Sequence, residues 1–198
     1  MYPKFLPDGR RYVKGHGPLP CDVLFLGESP GDDEDNIGRC FVGRTGQLLD
    51  ALCERAGWRR GLDMRIDNVL KYKPELYDKD GPILPHEIER DRPRLLEQFA
   101  KCRPKLVFAM GAVAMEAVLG KHLRGLGVEP KLDWMHGLAF DVPRPDDETV
   151  TMRAVATFHP AAGFHDPVMA ARFWRSLTGL RTARVWEKDT QPVEYRAC

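Results

Sequence analysis

A carboxylate at Glu28, an amide at Asn68 and an imidazole at His159 each fall at the end of a short apolar run. Glu28 lies in GESPGDDED, residues 27–35, directly after Val23-Leu24-Phe25-Leu26. Asn68 lies in MRIDNVL, 64–70, and His159-Pro160 follows RAVATF, 153–158. Brought together, these groups offer an acid or base, a paired hydrogen-bond donor and acceptor, and a titratable donor. Acid-rich loops such as 27–35 usually meet solvent or a metal. This one runs on into Gly38-Arg39-Cys40-Phe41-Val42-Gly43-Arg44, which is neither an ordinary turn nor a metal-ligand box.

The elements that must position these residues read clearly. Asp22–Gly27, Met64–Leu70, Lys105–Gly111 and Arg153–Phe158 are short runs rich in β-branched and aromatic residues, as interior parallel strands are. Helical spacing of apolar residues lies between and after them. Thr45–Ala56 has Thr45 as its N-cap. Pro85–Cys102 follows, with Pro93 expected to begin or break the helix. Ala112–Leu119 and the amphipathic Pro167–Leu177 complete the set. Leu76–Pro85 and Val142–Glu148 read as polar, proline-rich surface loops. Alternating strands and helices predict an α/β fold, a three-layer αβα sandwich around a mostly parallel four-stranded sheet. Ligands of such sheets bind beyond the carboxyl ends of the strands. Topology alone therefore brings Glu28, Asn68 and His159 to one edge, with Gly111 between them.

Bulk properties set bounds. A chain of 198 residues predicts a single domain over 1–198, with 1–20 as an N-terminal extension and 180–198 as a C-terminal tail. It is 43% hydrophobic and 30% charged, as soluble globular proteins are. The net charge of +1 neither demands nor excludes nucleic acid, since any basic patch must be local. No apolar run reaches membrane-spanning length and the start is no signal peptide, so a soluble, cytoplasmic protein, monomeric and without membrane contact, is expected. The five cysteines, at 21, 40, 53, 102 and 198, form no Cys-x-x-Cys pair. That argues against a disulfide framework or zinc ribbon and for buried free thiols, with Cys198 exposed at the terminus.

Four ordered blocks resemble the uracil-DNA glycosylase superfamily, most closely its bacterial and archaeal family 4, from about Cys21 to Leu177. GESPGDDED-x-x-GRCFVGRTGQLLD is similar to the family's first block. Asp67-Asn68-Val69-Leu70-Lys71 resembles its Thr-Asn-Val-Val-Lys block, and Arg103-Pro104-Lys105 with Phe108-Ala109-Met110-Gly111 resembles its third strand. FHPAAGFHDP, 158–167, resembles its His-Pro motif and the loop that wedges into duplex DNA. Family 4 holds a 4Fe–4S cluster through four cysteines. Here no cysteine precedes Cys21, and Tyr72 and Asp91 stand at the other two ligand positions. The resemblance therefore implies a member without the cluster, so no cofactor is expected and no metal site.

What the resemblance implies is hydrolysis of the N-glycosidic bond of uracil flipped out of single- or double-stranded DNA, in base-excision repair. Asn68 would read uracil's O4 and N3–H, which cytosine presents in reverse. His159 would donate to O2 as charge develops there. Phe41 would stack on the base, or else is a core phenylalanine. Gly27 and Ser29 complete the base-binding set, and Gly43 and Gly46 let backbone come close or are turn glycines. Glu28 would order the water or stabilise the sugar cation. Ser29 stands where well-known cluster-free members carry a water-activating aspartate, which leaves that role to Glu28. Asp32, Asp33, Glu34 and Asp35 read mostly as a solvated loop.

Phe164 is either the wedge that fills the gap in the duplex or a residue packed under the following helix. Arg44, Lys71, Lys73 and Arg172, with Arg39 and Arg175, are candidates for phosphate contacts; a solvated helix face explains Arg172 and Arg175 equally. Two other readings stay open at this level. One is an enzyme acting on a different modified pyrimidine, as would suit a virus-encoded DNA-modification pathway. The other is a DNA-binding module that recognises a base without hydrolysis.

Overall fold

The computed structural model describes residues 4–74 and 85–182. The expected loop at 76–84 and the end of the tail, with Cys198, lie outside the described residues. Strands β1 (Val23–Gly27), β2 (Arg65–Asn68), β3 (Leu106–Met110), β4 (Ala139–Arg144) and β5 (Asp147–Thr157) form one sheet in the order β2-β1-β3-β5-β4. All pairings are parallel except β4 with β5.

Side-chain alternation along the strands builds two cores, one on each face of the sheet. From β1, Leu24 and Leu26 enter one core while Val23 and Phe25 enter the other. β3 divides likewise, Val107 and Ala109 against Leu106, Phe108 and Met110. The first core is closed by α3 (Pro85–Cys102), through Leu95 and Phe99, and by α4 (Ala112–Met115) and α5 (Lys121–Gly125). The second is closed by α2 (Arg44–Arg55), through Leu49 and Cys53, and by α7 (Pro167–Thr182), through Phe173 and Leu177. Phe25 and Phe108 stack there at 4.5 Å, with Trp58 edge-on to both. This is the α/β sandwich that the strand–helix alternation predicts.

Several boundaries differ from expectation. Among the described residues the sheet has five strands, not four. The stretch expected as a polar loop, Val142–Glu148, is a hairpin instead: β4 turns at Pro145-Asp146 into a long β5. Edge strands tolerate proline, and the register shifts beside Pro143, so the loop-like composition does not prevent pairing. Asp32–Ile37 forms a short helix, α1, where a solvated loop was expected; four acids in the first turn suit the positive end of a helix. α2 begins at Arg44, capped by Gly43 rather than by Thr45. Pro93 neither begins nor breaks α3, which runs through it. Pro93 and Glu89, the residue whose carbonyl loses its partner, both lie on the exposed side, where water can satisfy that carbonyl. The helix expected at Ala112–Leu119 is divided: α4 passes through a π-turn, Glu116–Gly120, into α5.

The stretch expected as an N-terminal extension packs onto the body. His16 pairs with Ile66 and Lys14 with Arg39, while Leu6, Tyr12 and Val13 are buried. Cys21, Cys40, Cys53 and Cys102 are buried free thiols, as their spacing predicts. Among the described residues no helix is long and apolar enough to cross a membrane.

Candidate active site

Parallel register sets Gly27, the last residue of β1, opposite Asn68, the last of β2. Gly27 has no side chain where a side chain would not fit. A Cβ built on it would stand 2.5 Å from Phe41 Cζ and 2.6 Å from Asn68 Oδ1. The Phe41 ring and the Asn68 amide therefore close over the same backbone position. His159 follows β5, with its ring 5.9 Å from that of Phe41 and tilted by 35°. Gly111, just after β3 with φ at 94°, lets the chain pass beneath His159; a Cβ there would lie 3.4 Å from His159 Cβ. The ends of β1, β2 and β5 and the loop between Ile37 and Arg44 thus bring Gly27, Asn68, His159 and Phe41 together. Glu28 and Ser29 continue from Gly27, both half-buried.

The polar atoms of this cluster are poised rather than spent. Asn68 is 2% exposed, yet its Oδ1 is buried with no hydrogen-bond partner among the described residues, and Ser29 Oγ is the same. Buried polar atoms are rarely left so, and at a strand edge they mark a place for a ligand. His159 Nδ1 accepts from the Ala161 backbone N–H at 3.3 Å, where His159 caps the 3₁₀ turn Pro160–Phe164. That bond assigns the neutral ring's proton to Nε2 and makes Nε2 a donor. Burial pushes the imidazole pKa down to about 4, so the ring is neutral at physiological pH. Burial also raises the Glu28 carboxyl above its ordinary value.

Phe41 is held in the left-handed region, φ 53°, a costly conformation for an aromatic residue. Two side chains that the sequence did not single out hold it there. Glu34 Oε1 accepts from the backbone N–H of Val42 and of Gly43, both at 2.8 Å, and its Oε2 accepts from Gly31 N at 3.1 Å. Arg60 donates to the Phe41 carbonyl at 2.8 Å and to Asp50 at 2.6 Å. Glu34 sits three residues after Gly31 at a helix start, a half capping box, and that spacing is the signal that could have separated it from its acidic neighbours. Gly46 brings α2 against the Phe41 backbone, since a Cβ there would lie 1.9 Å from the Phe41 oxygen. Gly43 likewise packs on Asp33. A third unexpected residue, His136, packs on Phe158, the residue before His159: its Nδ1 accepts from Phe158 N at 3.1 Å and its ring stacks on Phe158 at 4.2 Å. Nothing in its sequence context, Met-His-Gly, sets it apart.

The candidates for DNA contact separate. Phe164 is 45% exposed with the Arg44 guanidinium 5.0 Å over its ring, so these two share a surface. Arg172 lies 4.8 Å over the Phe158 ring, and Arg39 and Arg175 are exposed. Lys73 pairs with Asp32 at the surface. Lys71 is not at the surface: it is 3% exposed and paired with Asp67, which also binds Arg65 at 3.2 Å. An ammonium on the strand-end segment is drawn inward because a buried carboxylate waits there. Asp67 Oδ1 in turn accepts from Asn68 N at 2.9 Å, so this buried charge group underlies the site.

Tyr72 and Asp91 are both fully buried. The Arg10 guanidinium stacks on the Tyr72 ring at 3.6 Å, and Arg90 donates to its hydroxyl at 2.9 Å. Asp91 accepts from Lys71 N at 3.0 Å and pairs with Arg94.

Known proteins are similar to this chain over most of its length. The sequence model of the uracil DNA glycosylase superfamily matches residues 14–178. A type-4 uracil-DNA glycosylase of Pyrobaculum aerophilum is 33% identical over 165 residues, 83% of this chain and 79% of that protein. Another, of Archaeoglobus fulgidus, is 30% identical over 162 residues, 82% and 76% of the two chains. One of Thermotoga maritima is 33% identical over 151 residues, 75% and 69%. The match spans every strand end that builds the cluster around Gly27, and the chain belongs to the uracil DNA glycosylase superfamily.

Proposed function

We propose that this chain is a uracil-DNA glycosylase that hydrolyses the N-glycosidic bond of a uracil displaced from the DNA stack. The observation that carries this reading is the convergence of Phe41, Asn68 and His159 on Gly27, with the His159 proton fixed on Nε2. In this reading the Phe41 ring stacks on the extruded base. The Asn68 amide pairs with O4 and N3–H, its unpartnered Oδ1 accepting from N3–H. As the bond breaks, positive charge grows on the sugar and negative charge on the base. The His159 Nε2–H, already a donor, stabilises the charge at O2 without needing an imidazolium. Glu28, ionised, orients the attacking water and faces the sugar cation. In the same reading Arg44 and Phe164, which share a surface, hold the DNA beside the displaced nucleotide.

The same reading holds that the fold stands without the family 4 cluster. Tyr72 and Asp91 do not fit a thiolate-bound group: neither is a thiol, and both are engaged, one beneath Arg10 and the other by Lys71 N and Arg94. Packing and charge pairing take the place of metal–sulfur bonds. Iron–sulfur absorption in anaerobically purified protein, or stoichiometric iron by elemental analysis, would overturn this.

The test of function is alkali-induced cleavage of labelled oligonucleotides carrying one uracil, single-stranded and opposite guanine or adenine. Cleavage at uracil by the wild type, lost in Asn68→Ala and His159→Ala, is the expected result. Cleavage only at another modified pyrimidine, or binding without any cleavage, would replace the proposal with one of the two other readings of the sequence.

A further inference from the structure

The sheet edge that carries Asn68 and His159 continues onto an exposed aromatic. Leu132–Met135 form α6, after which the chain turns through His136 and Gly137 into β4. Gly137 N donates to Ala156 O at 2.8 Å, and the His136 ring lies on Phe158, the residue before His159. Trp134, two residues before His136, is thereby fixed beside the carboxyl end of β5. Trp134 is 73% exposed, the highest value among the exposed large hydrophobics of the described residues, and Leu138, further along the same turn, is 51% exposed. The Lys131 ammonium stands 4.6 Å from the centre of the Trp134 ring. Arg172, over Phe158, and the exposed Arg175 continue the positive charge along α7. Asp133 is the only acid in 131–138.

Singly exposed apolar residues are ordinary on protein surfaces; this indole is set apart by the ammonium beside its ring and by its place at the strand ends that carry the candidate site. Its chemistry selects the partner. An indole face accepts a flat heterocycle, and a neighbouring ammonium answers a phosphate; the combination is what single-stranded nucleic acid meets on its binding proteins. We propose that Trp134 and Lys131 form a stacking platform for an unpaired base of the DNA strand that flanks the displaced nucleotide. The choice of DNA as the occupant rests on the glycosylase reading. The platform is separate from the Arg44–Phe164 contact, which lies on α2 and the 3₁₀ turn.

The experiment is a fluorescence-anisotropy titration of a fluorescein-labelled, uracil-free single-stranded oligodeoxynucleotide, and of its duplex, with the full chain. Wild type, Trp134→Ala, Trp134→Phe and Lys131→Ala are compared, with circular dichroism confirming that each is folded. Trp134→Ala should weaken single-strand binding by about ten-fold, as loss of one stacked base does, with duplex binding little changed. Trp134→Phe should stay close to wild type, and Lys131→Ala should flatten the salt dependence. Equal affinities of wild type and Trp134→Ala would overturn the platform. So would equal losses on single strand and duplex, which mark a backbone contact, or a wild-type dimer that Trp134→Ala dissolves, which assigns the face to a second copy. Uracil excision measured in parallel separates this proposal from the one it rests on. Binding that depends on Trp134 without excision sinks the glycosylase and keeps the platform; excision with binding indifferent to Trp134 does the reverse.

Discussion

His159 and Glu28 sit at the same strand edge, and burial drives their protons in the same chemical direction, toward the neutral form. For the imidazole that is the working form. On the glycosylase reading Glu28 works when ionised, so its raised pKa sets the acid limit of the reaction. We expect the excision rate to fall as pH drops through a midpoint above the ordinary glutamate value of 4.5. The limb should have the slope of one group, because His159 protonates only near pH 4. Two limbs, or a midpoint below 4.5, would refute the assignment. Glu28→Gln should cost about a hundred-fold or more in rate, the scale of a lost general base. The same substitution should raise the melting temperature at pH 7. A group whose folded pKa is raised stabilises the fold while protonated and loses that contribution as pH rises through the folded value. The gain should therefore shrink as pH falls toward 4, where the wild-type carboxyl is neutral too. Asn68→Ala should cost a similar factor in rate with the fold intact, since its Oδ1 has no hydrogen-bond partner to lose among the described residues. A melting temperature down by many degrees would instead assign Asn68 a packing role.

At the scale of elements, the segment from Gly31 to Gly46 is one device. α1, Glu34, Arg60 and the start of α2 together hold Phe41 in a conformation it would not choose. Glu34→Ala removes the acceptor of three backbone N–H groups. We expect about 2–3 kcal/mol of lost stability in urea unfolding, with a larger loss in excision on short uracil substrates than in DNA affinity. Unchanged stability would mean that Phe41 is held by packing alone. Asp67 plays the comparable part under β2. Asp67→Ala leaves Arg65 and Lys71 buried without their carboxylate, a change of about 3–5 kcal/mol, and should give a chain that barely folds. Neither device could be read from composition. Asp32, Asp33, Glu34 and Asp35 look alike in a row, and only the helical turn chooses which one faces the loop. The β4–β5 hairpin was hidden for a related reason: a proline-rich edge strand has the composition of a loop and becomes a strand only when β5 offers it a ladder.

Across the whole molecule, two cores share one sheet, and the N-terminal residues help to close both. Leu6 and Tyr12 pack in one core and Val13 in the other. Three buried side chains at about 1.5–3 kcal/mol each are a large share of a domain's stability of about 5–15 kcal/mol. Deleting residues 1–20 should therefore abolish the cooperative thermal transition followed by circular dichroism; a truncated chain that melts sharply would show the segment to be dispensable. Four of the five strands, the layering and the strand ends that carry Glu28, Asn68 and His159 were legible in the sequence, because strand periodicity and the rule for parallel sheets act locally and by topology. The inward turn of Lys71, the bonds of Glu34 to Val42 and Gly43, the grip of Arg60 on Phe41 and the stacking of His136 on Phe158 were decided only by tertiary structure. Arg60 and His136 meet partners 19 and 22 residues away; Lys71 and Glu34 meet nearer ones, Asp67 and Val42-Gly43, and all four find their roles from what folding and burial leave within reach.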